Sequence, residues 1–118
     1  MQQNFNEISF LFPNIVDIEK FKLLPASQLF AEDAVAFLNA LSREITKDSQ
    51  IRNFPDVATF AFFCRKANIL QLKRSYDNEG VIRRGRGIVF HVAPSNVPVN
   101  FAYSLLCGIL AGNVNIVR

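Results

Sequence analysis

The sequence predicts an α/β fold in which N-terminal helices lead into one strand–helix–strand unit. Three observations carry this reading. Residues 30–45 place apolar side chains at helical spacing. Asn53-Phe54-Pro55-Asp56 has the makings of a second helix start. Residues 88–93 are an almost unbroken apolar run, followed by a proline-bracketed turn, a helical stretch and a second apolar run to residue 118. Strand, helix and strand in so short a span make a βαβ unit, with parallel strands and a right-handed crossover.

Taken in order, residues 8–12 and 14–24 are short apolar runs broken by Pro13 and closed by Pro25. They read as extended segments or edge strands, where proline is tolerated. Phe30, Ala34, Phe37, Leu38, Leu41 and Ile45 then form one apolar stripe, with Glu32, Asp33, Asn39, Arg43 and Lys47 on the other side. Ser27 is the expected N-cap, which sets the first helix at about 28–47. Pro55 at a first helical position and Asp56 beside it open a second helix, expected over 55–74. Val57, Phe60, Ala61, Cys64 and Ala67 make its stripe, and Phe62 and Phe63 extend the apolar surface almost all round, the pattern of a helix buried on most sides. Ser75 to Gly87 is a turn and linker.

The last third is the most informative. Residues 87–93 suit a strand buried on both faces of a parallel sheet. A helix is expected over 99–111, stopped by Gly112-Asn113, and a second strand over 114–118. Residues 1–80 thus read as an N-terminal segment of mainly two helices, and 81–118 as the start of a second domain. Two parallel strands cannot cover both faces of their own sheet, so the expectation is a doubly wound fold truncated just as it begins.

Composition narrows the function classes. Half of the 118 residues are hydrophobic, and twelve Phe with no Trp suggest a well-filled apolar core. No run reaches the roughly 18 apolar residues of a membrane span, and Met1-Gln2-Gln3-Asn4 lacks the features of a secretory signal. The expected compartment is the cytoplasm. A net charge of +3 does not imply nucleic acid. The charge is uneven, however: Arg65, Lys66, Lys73, Arg74, Arg83, Arg84 and Arg86 face only Asp77 and Glu79 in their stretch. Such a run is either a solvated connection or a surface for coenzyme phosphates, and no aromatic interleaving marks it for RNA or DNA. Cys64 and Cys107 lie in apolar helical stretches without metal-ligand spacing, so both are expected to be small buried hydrophobes, neither disulfide-bonded nor nucleophilic. No metal site is expected.

Four features could carry chemistry. Arg84-Gly85-Arg86-Gly87 is not a dinucleotide fingerprint, because its glycine spacing fails and it precedes the strand instead of following it. His91 lies in the first strand, as a satisfied histidine against the sheet or as a general acid or base. Asn96 follows the carboxyl end of that strand, where open α/β sheets place ligands; its amide either donates to a developing oxyanion or shapes the turn and caps the next helix. Arg118 ends the second strand on the same edge, as a phosphate or ribose contact or as an exposed strand-end charge.

Residues 87–118, Gly-Ile-Val-Phe-His-Val-Ala-Pro-Ser-Asn-Val-Pro through Ala-Gly-Asn-Val-Asn-Ile-Val-Arg, resemble the aldehyde dehydrogenase superfamily. That superfamily carries a strand, Pro-Trp-Asn-Phe-Pro, a helix ending in Ala-Gly-Asn and a strand finishing in Lys. The sequence is most similar to the LuxC-like acyl-CoA reductases, also called fatty acid reductases, to which Phe54-Pro55-Asp56-Val57 and Phe63-Cys64-Arg65-Lys66-Ala67-Asn68 also correspond. The resemblance implies that 81–118 begins an aldehyde-dehydrogenase-like, Rossmann-type NADP-binding domain. It implies reduction of a fatty acyl-CoA to an aldehyde by NADPH through an acyl-cysteine intermediate, in an enzyme that is a homo-oligomer at full length. Asn96 matches the oxyanion-hole asparagine, and Ala93, Pro94, Ser95 and Arg118 match cofactor-binding positions. Ser95 stands where aldehyde oxidisers have Trp, which favours the acyl-CoA reductases. Neither cysteine matches the superfamily's nucleophile, which lies downstream of Ala-Gly-Asn, so this chain alone is expected to be inactive.

Two other readings remain at this point. A gamma-glutamyl phosphate reductase has a similar Pro-Asn turn and a strand ending in Arg, and differs in using an acyl phosphate. A non-catalytic remnant that binds nucleotide or pairs with a partner chain would also expose apolar helices and an unfinished sheet.

Overall fold

The helices that begin at Glu32 and Pro55 carry acidic residues in their first turns, and the sheet forms where helical spacing gives way to largely continuous apolar sequence. The computed structural model describes residues 9–14 and 16–118. Ile8 and Ile15 of the expected extended segments, and the Met1-Gln2-Gln3-Asn4 start, lie outside the described residues. In chain order the elements are α1 (Ile18–Leu23), α2 (Glu32–Lys47), a short 3-10 turn (Ser49–Asn53), α3 (Pro55–Phe63), α4 (Lys66–Arg74), β1 (Ile88–His91), α5 (Asn100–Leu110) and β2 (Val114–Val117).

Several expectations are corrected. Residues 18–23 are helical, not extended, because Asp17 caps them: its carboxylate accepts the N–H of Glu19 at 3.1 Å. Ser27 does not cap α2. That helix starts at Glu32 after an uncapped Ala31, and the Ser27 backbone instead accepts from Gly85 and donates to Gly112, each at 3.1 Å. The helix expected over 55–74 is two helices. Arg65 is extended (φ −60°, ψ 139°), and the first N–H of α4, Lys66, donates to the Asn39 side chain of α2 at 3.0 Å. A helix bent there can lay both halves on α2. Phe62 and Phe63 are exposed where burial was expected, and the Arg65 guanidinium covers the Phe62 ring from 4.5 Å. Cys64 is buried as expected, but Cys107 faces outward from α5.

The core gathers Val35 and Leu38 of α2, Phe60 of α3, Ile69 of α4 and Leu106 and Leu110 of α5, with Phe30 from the loop before α2 and Cys64 at the cap of α3. Ser42 of α2 is buried with them, and its hydroxyl donates to the Ala61 carbonyl at 2.5 Å. Phe60 and Phe63 both meet Tyr103 edge-on.

β1 and β2 pair in parallel from Ile88↔Val114 to His91↔Val117, with α5 as the crossover. α5 ends in a Schellman arrangement: Gly112 (φ 80°) donates to Ile109 at 3.0 Å and Asn113 to Gly108 at 3.1 Å. Helix α5 packs on one side of the sheet. Ile88, Phe90 and Val92 point the other way and are exposed, so β1 is covered on one face and not on both as the apolar run suggested.

Candidate functional site

Because the strands are parallel, both carboxyl ends reach the same edge, and the chain there is held by backbone bonds. Arg118 N–H donates to the His91 carbonyl at 2.9 Å, and Ala93 N–H donates to the Arg118 carbonyl at 3.3 Å. Ala93 and Arg118, separated by the whole crossover, are therefore neighbours. Pro94, Ser95 and Asn96 leave this edge as an exposed turn, which ends at Pro98 and Val99 ahead of α5.

No side chain caps α5, so Asn96 is not a helix cap. Among the described residues its amide has no protein partner, and it stands in solvent beyond the end of β1. The Arg118 side chain is exposed at the same edge and pairs with no carboxylate among the described residues. Free donors at the carboxyl edge of a parallel pair suit an anionic or carbonyl-bearing ligand. Neither cysteine reaches this edge as a nucleophile. Burial pushes the Cys64 thiol up to about 11, and Cys107 faces outward near the far end of α5.

Beside the turn runs a groove of about 540 Å³ between α2, α3 and α5, lined almost wholly by carbon. Pro98 and Val99 open it, two and three residues after Asn96. Phe37 and Ile109 lie at its other end, where a neighbouring hollow also brings Ala31 and Gly112 together. Helices α2 and α5 thus run antiparallel along it, with Leu38, Leu41, Ile45, Phe54, Phe60 and Phe101 between. The single stripe of α2 was legible in sequence. The groove was not, because it needs three helices brought together.

Two polar residues were also missed. Asn113 receives the N–H of Arg86 at 2.6 Å and of Gly87 at 3.3 Å, and Asn115 lies 2.9 Å from the His91 ring. The only signal for Asn115 was an asparagine interrupting an apolar strand run, and Asn113 was read only as part of the stop after α5.

The acyl-CoA reductase (LuxC) family matches residues 17–118. The chain belongs to that family. No curated protein and no solved structure matches it. As a member of the acyl-CoA reductase family it is grouped with oxidoreductases that act on acyl-CoA, and the match takes in α1 to β2, with the turn and every residue lining the groove. Among the described residues no helix is long and apolar enough to cross a membrane.

Proposed function

We propose that this acyl-CoA reductase chain supplies the amino-terminal helices and the start of a Rossmann-type coenzyme domain (residues 81–118) to an enzyme that reduces long-chain fatty acyl-CoA to the aldehyde. The observation that carries this reading is the juxtaposition of the Asn96 amide and the Arg118 side chain, both without a protein partner among the described residues, with a carbon-lined groove opening at Pro98. Asn96 donates to the thioester oxygen as negative charge builds on it, a contribution typically worth about 10²–10³ in rate. The groove takes the acyl chain. Ala93, Pro94 and Ser95 would hold the coenzyme, and Arg118 would reach its ribose or phosphate. Bound NADPH supplies the hydride.

The thiolate that attacks the acyl carbon, breaking its bond to the coenzyme A sulfur, is neither Cys64, which is buried and hard to ionise, nor Cys107, which faces away along α5. We place it outside these 118 residues, in a cytoplasmic homo-oligomer. The test is the protein purified from its natural source, weighed intact and assayed for NADPH consumption with long-chain acyl-CoA. Turnover with NADPH and acyl-CoA, lowered about 10²–10³-fold by Asn96→Ala, is the expected result. An Asn96→Ala protein as fast as wild type, or turnover with an acyl phosphate only, overturns the reading.

A further inference from the structure

A polar chain runs through the βαβ unit from the start of β1 to the carboxyl edge. Asn113 Oδ1 accepts from Arg86 and Gly87, at the entry to β1. Asn115 Nδ2 donates 2.8 Å to the Asn113 carbonyl. A carbonyl can only accept, so this contact fixes the Asn115 amide, and its Oδ1 is the atom that faces His91 Nε2 at 2.9 Å. The oxygen likewise only accepts, so Nε2 carries a hydrogen and donates. The His91 carbonyl then receives the N–H of Arg118, whose own carbonyl receives the N–H of Ala93. Packing leaves the pair little room. Gly108 of α5 lies directly over it, and a β-carbon at that position would overlap Asn115 Oδ1 and stand 3.0 Å from His91 Nε2.

We propose that His91 is a positioning residue: through Nε2–H it locks Asn115, and thereby sets the spacing between the turn at Ala93–Asn96 and Arg118. β1 and β2 share only four residue pairs, and the last of these is His91↔Val117. The ladder therefore ends where the proposed ligand contacts begin. A side-chain bond from His91 to a residue two positions before Val117 ties the two strands just short of that end. The functional half of this inference rests on the coenzyme role proposed for that edge; the lock itself does not.

His91 is the chain's single histidine, so its ring signals in nitrogen NMR are unambiguous. The neutral ring is expected as the Nε2–H tautomer, and a Nδ1–H tautomer overturns the lock whatever the chain binds. Substitutions separate the two nitrogens, because a glutamine amide nitrogen reaches the position of Nε2 and an asparagine amide nitrogen that of Nδ1. His91→Phe, His91→Asn and Asn115→Val are each expected to speed amide exchange at Ala93 and Arg118 on the order of tenfold, with Val114 unchanged. His91→Gln is expected to restore wild-type exchange, and the His91→Phe/Asn115→Val double variant to be no worse than either single one. NADPH binding should follow the same order, weakening on the order of tenfold in the variants that lose the lock. Exchange that rises evenly along both strands, or a His91→Asn chain indistinguishable from His91→Gln, overturns the proposal. If wild type binds no NADPH while the tautomer and exchange results hold, the coenzyme reading fails and the lock stands.

Discussion

The α-carbon of Gly112 sits against the carbonyl of Ser27, and a β-carbon added there would overlap that oxygen. The same carbonyl accepts from Gly85, so one serine backbone ties the loop before α2, the linker before β1 and the end of α5 together. Gly112 also has φ 80°, which costs an ordinary residue about 1–2 kcal/mol. Gly112→Ala is therefore expected to destabilise by about 2 kcal/mol or more, read as a lower urea midpoint. Gly112→Asn separates the causes. Asparagine tolerates this backbone region but keeps the β-carbon, so if packing dominates it will be about as damaging as alanine.

How much of this was legible follows from the range of each interaction. β1, α5 and β2 were readable because continuous apolar runs and Gly112-Asn113 act within a few residues of themselves. The break at Arg65 was not, since the partner of Lys66 N–H is Asn39, twenty-seven residues away. Ser27 misled for a similar reason: a good capping side chain sits on a backbone already committed to Gly85 and Gly112. Asn96 and Arg118 could be placed at one edge from topology alone. The His91–Asn115 contact depends on strand register and on the space above Gly108, which no local pattern reports.

Ser42 offers a second stability test. At the carboxyl end of α3 the turn is closed by Cys64 N–H on Phe60 and Arg65 N–H on Phe62, and the intervening Ala61 carbonyl receives the Ser42 hydroxyl instead. Ser42→Ala strands a buried acceptor, and the expected loss is about 1–3 kcal/mol in denaturant unfolding. A loss within a few tenths of zero would mean that water reaches Ala61.

The cysteines predict both reactivity and pH dependence. A thiol reagent should modify Cys107 at once in the native chain and Cys64 only on unfolding. Burial raises the Cys64 thiol from 9.0 to about 11, which favours the protonated folded form. Between those values the folded chain holds more protons than the unfolded one, so stability is full below pH 9 and falls as pH rises towards 11. The slope contributed is at most about 1.4 kcal/mol per pH unit. Comparing Cys64→Ala with wild type across that window should remove this part of the slope, and an unchanged slope would assign it elsewhere.

The groove makes the last prediction, about substrate length. If an acyl chain enters at Pro98 and Val99, its methyl end approaches Phe37 and Ile109, because α2 and α5 run antiparallel along the groove. Ile109 is only half-buried, so a larger side chain there fills groove volume without being forced into the tightly packed layer of Leu106 and Leu110. Ile109→Trp is expected to move the optimum to shorter acyl-CoA, with kcat/KM for the longest substrates falling on the order of tenfold and the shortest unaffected. The measurement is kcat/KM over a ladder of saturated acyl-CoA in the enzyme from its natural source. A uniform fall at every length would mean that the acyl chain lies elsewhere and that the substitution only loosens α5, while a shift confined to long chains would place the methyl end beside Ile109.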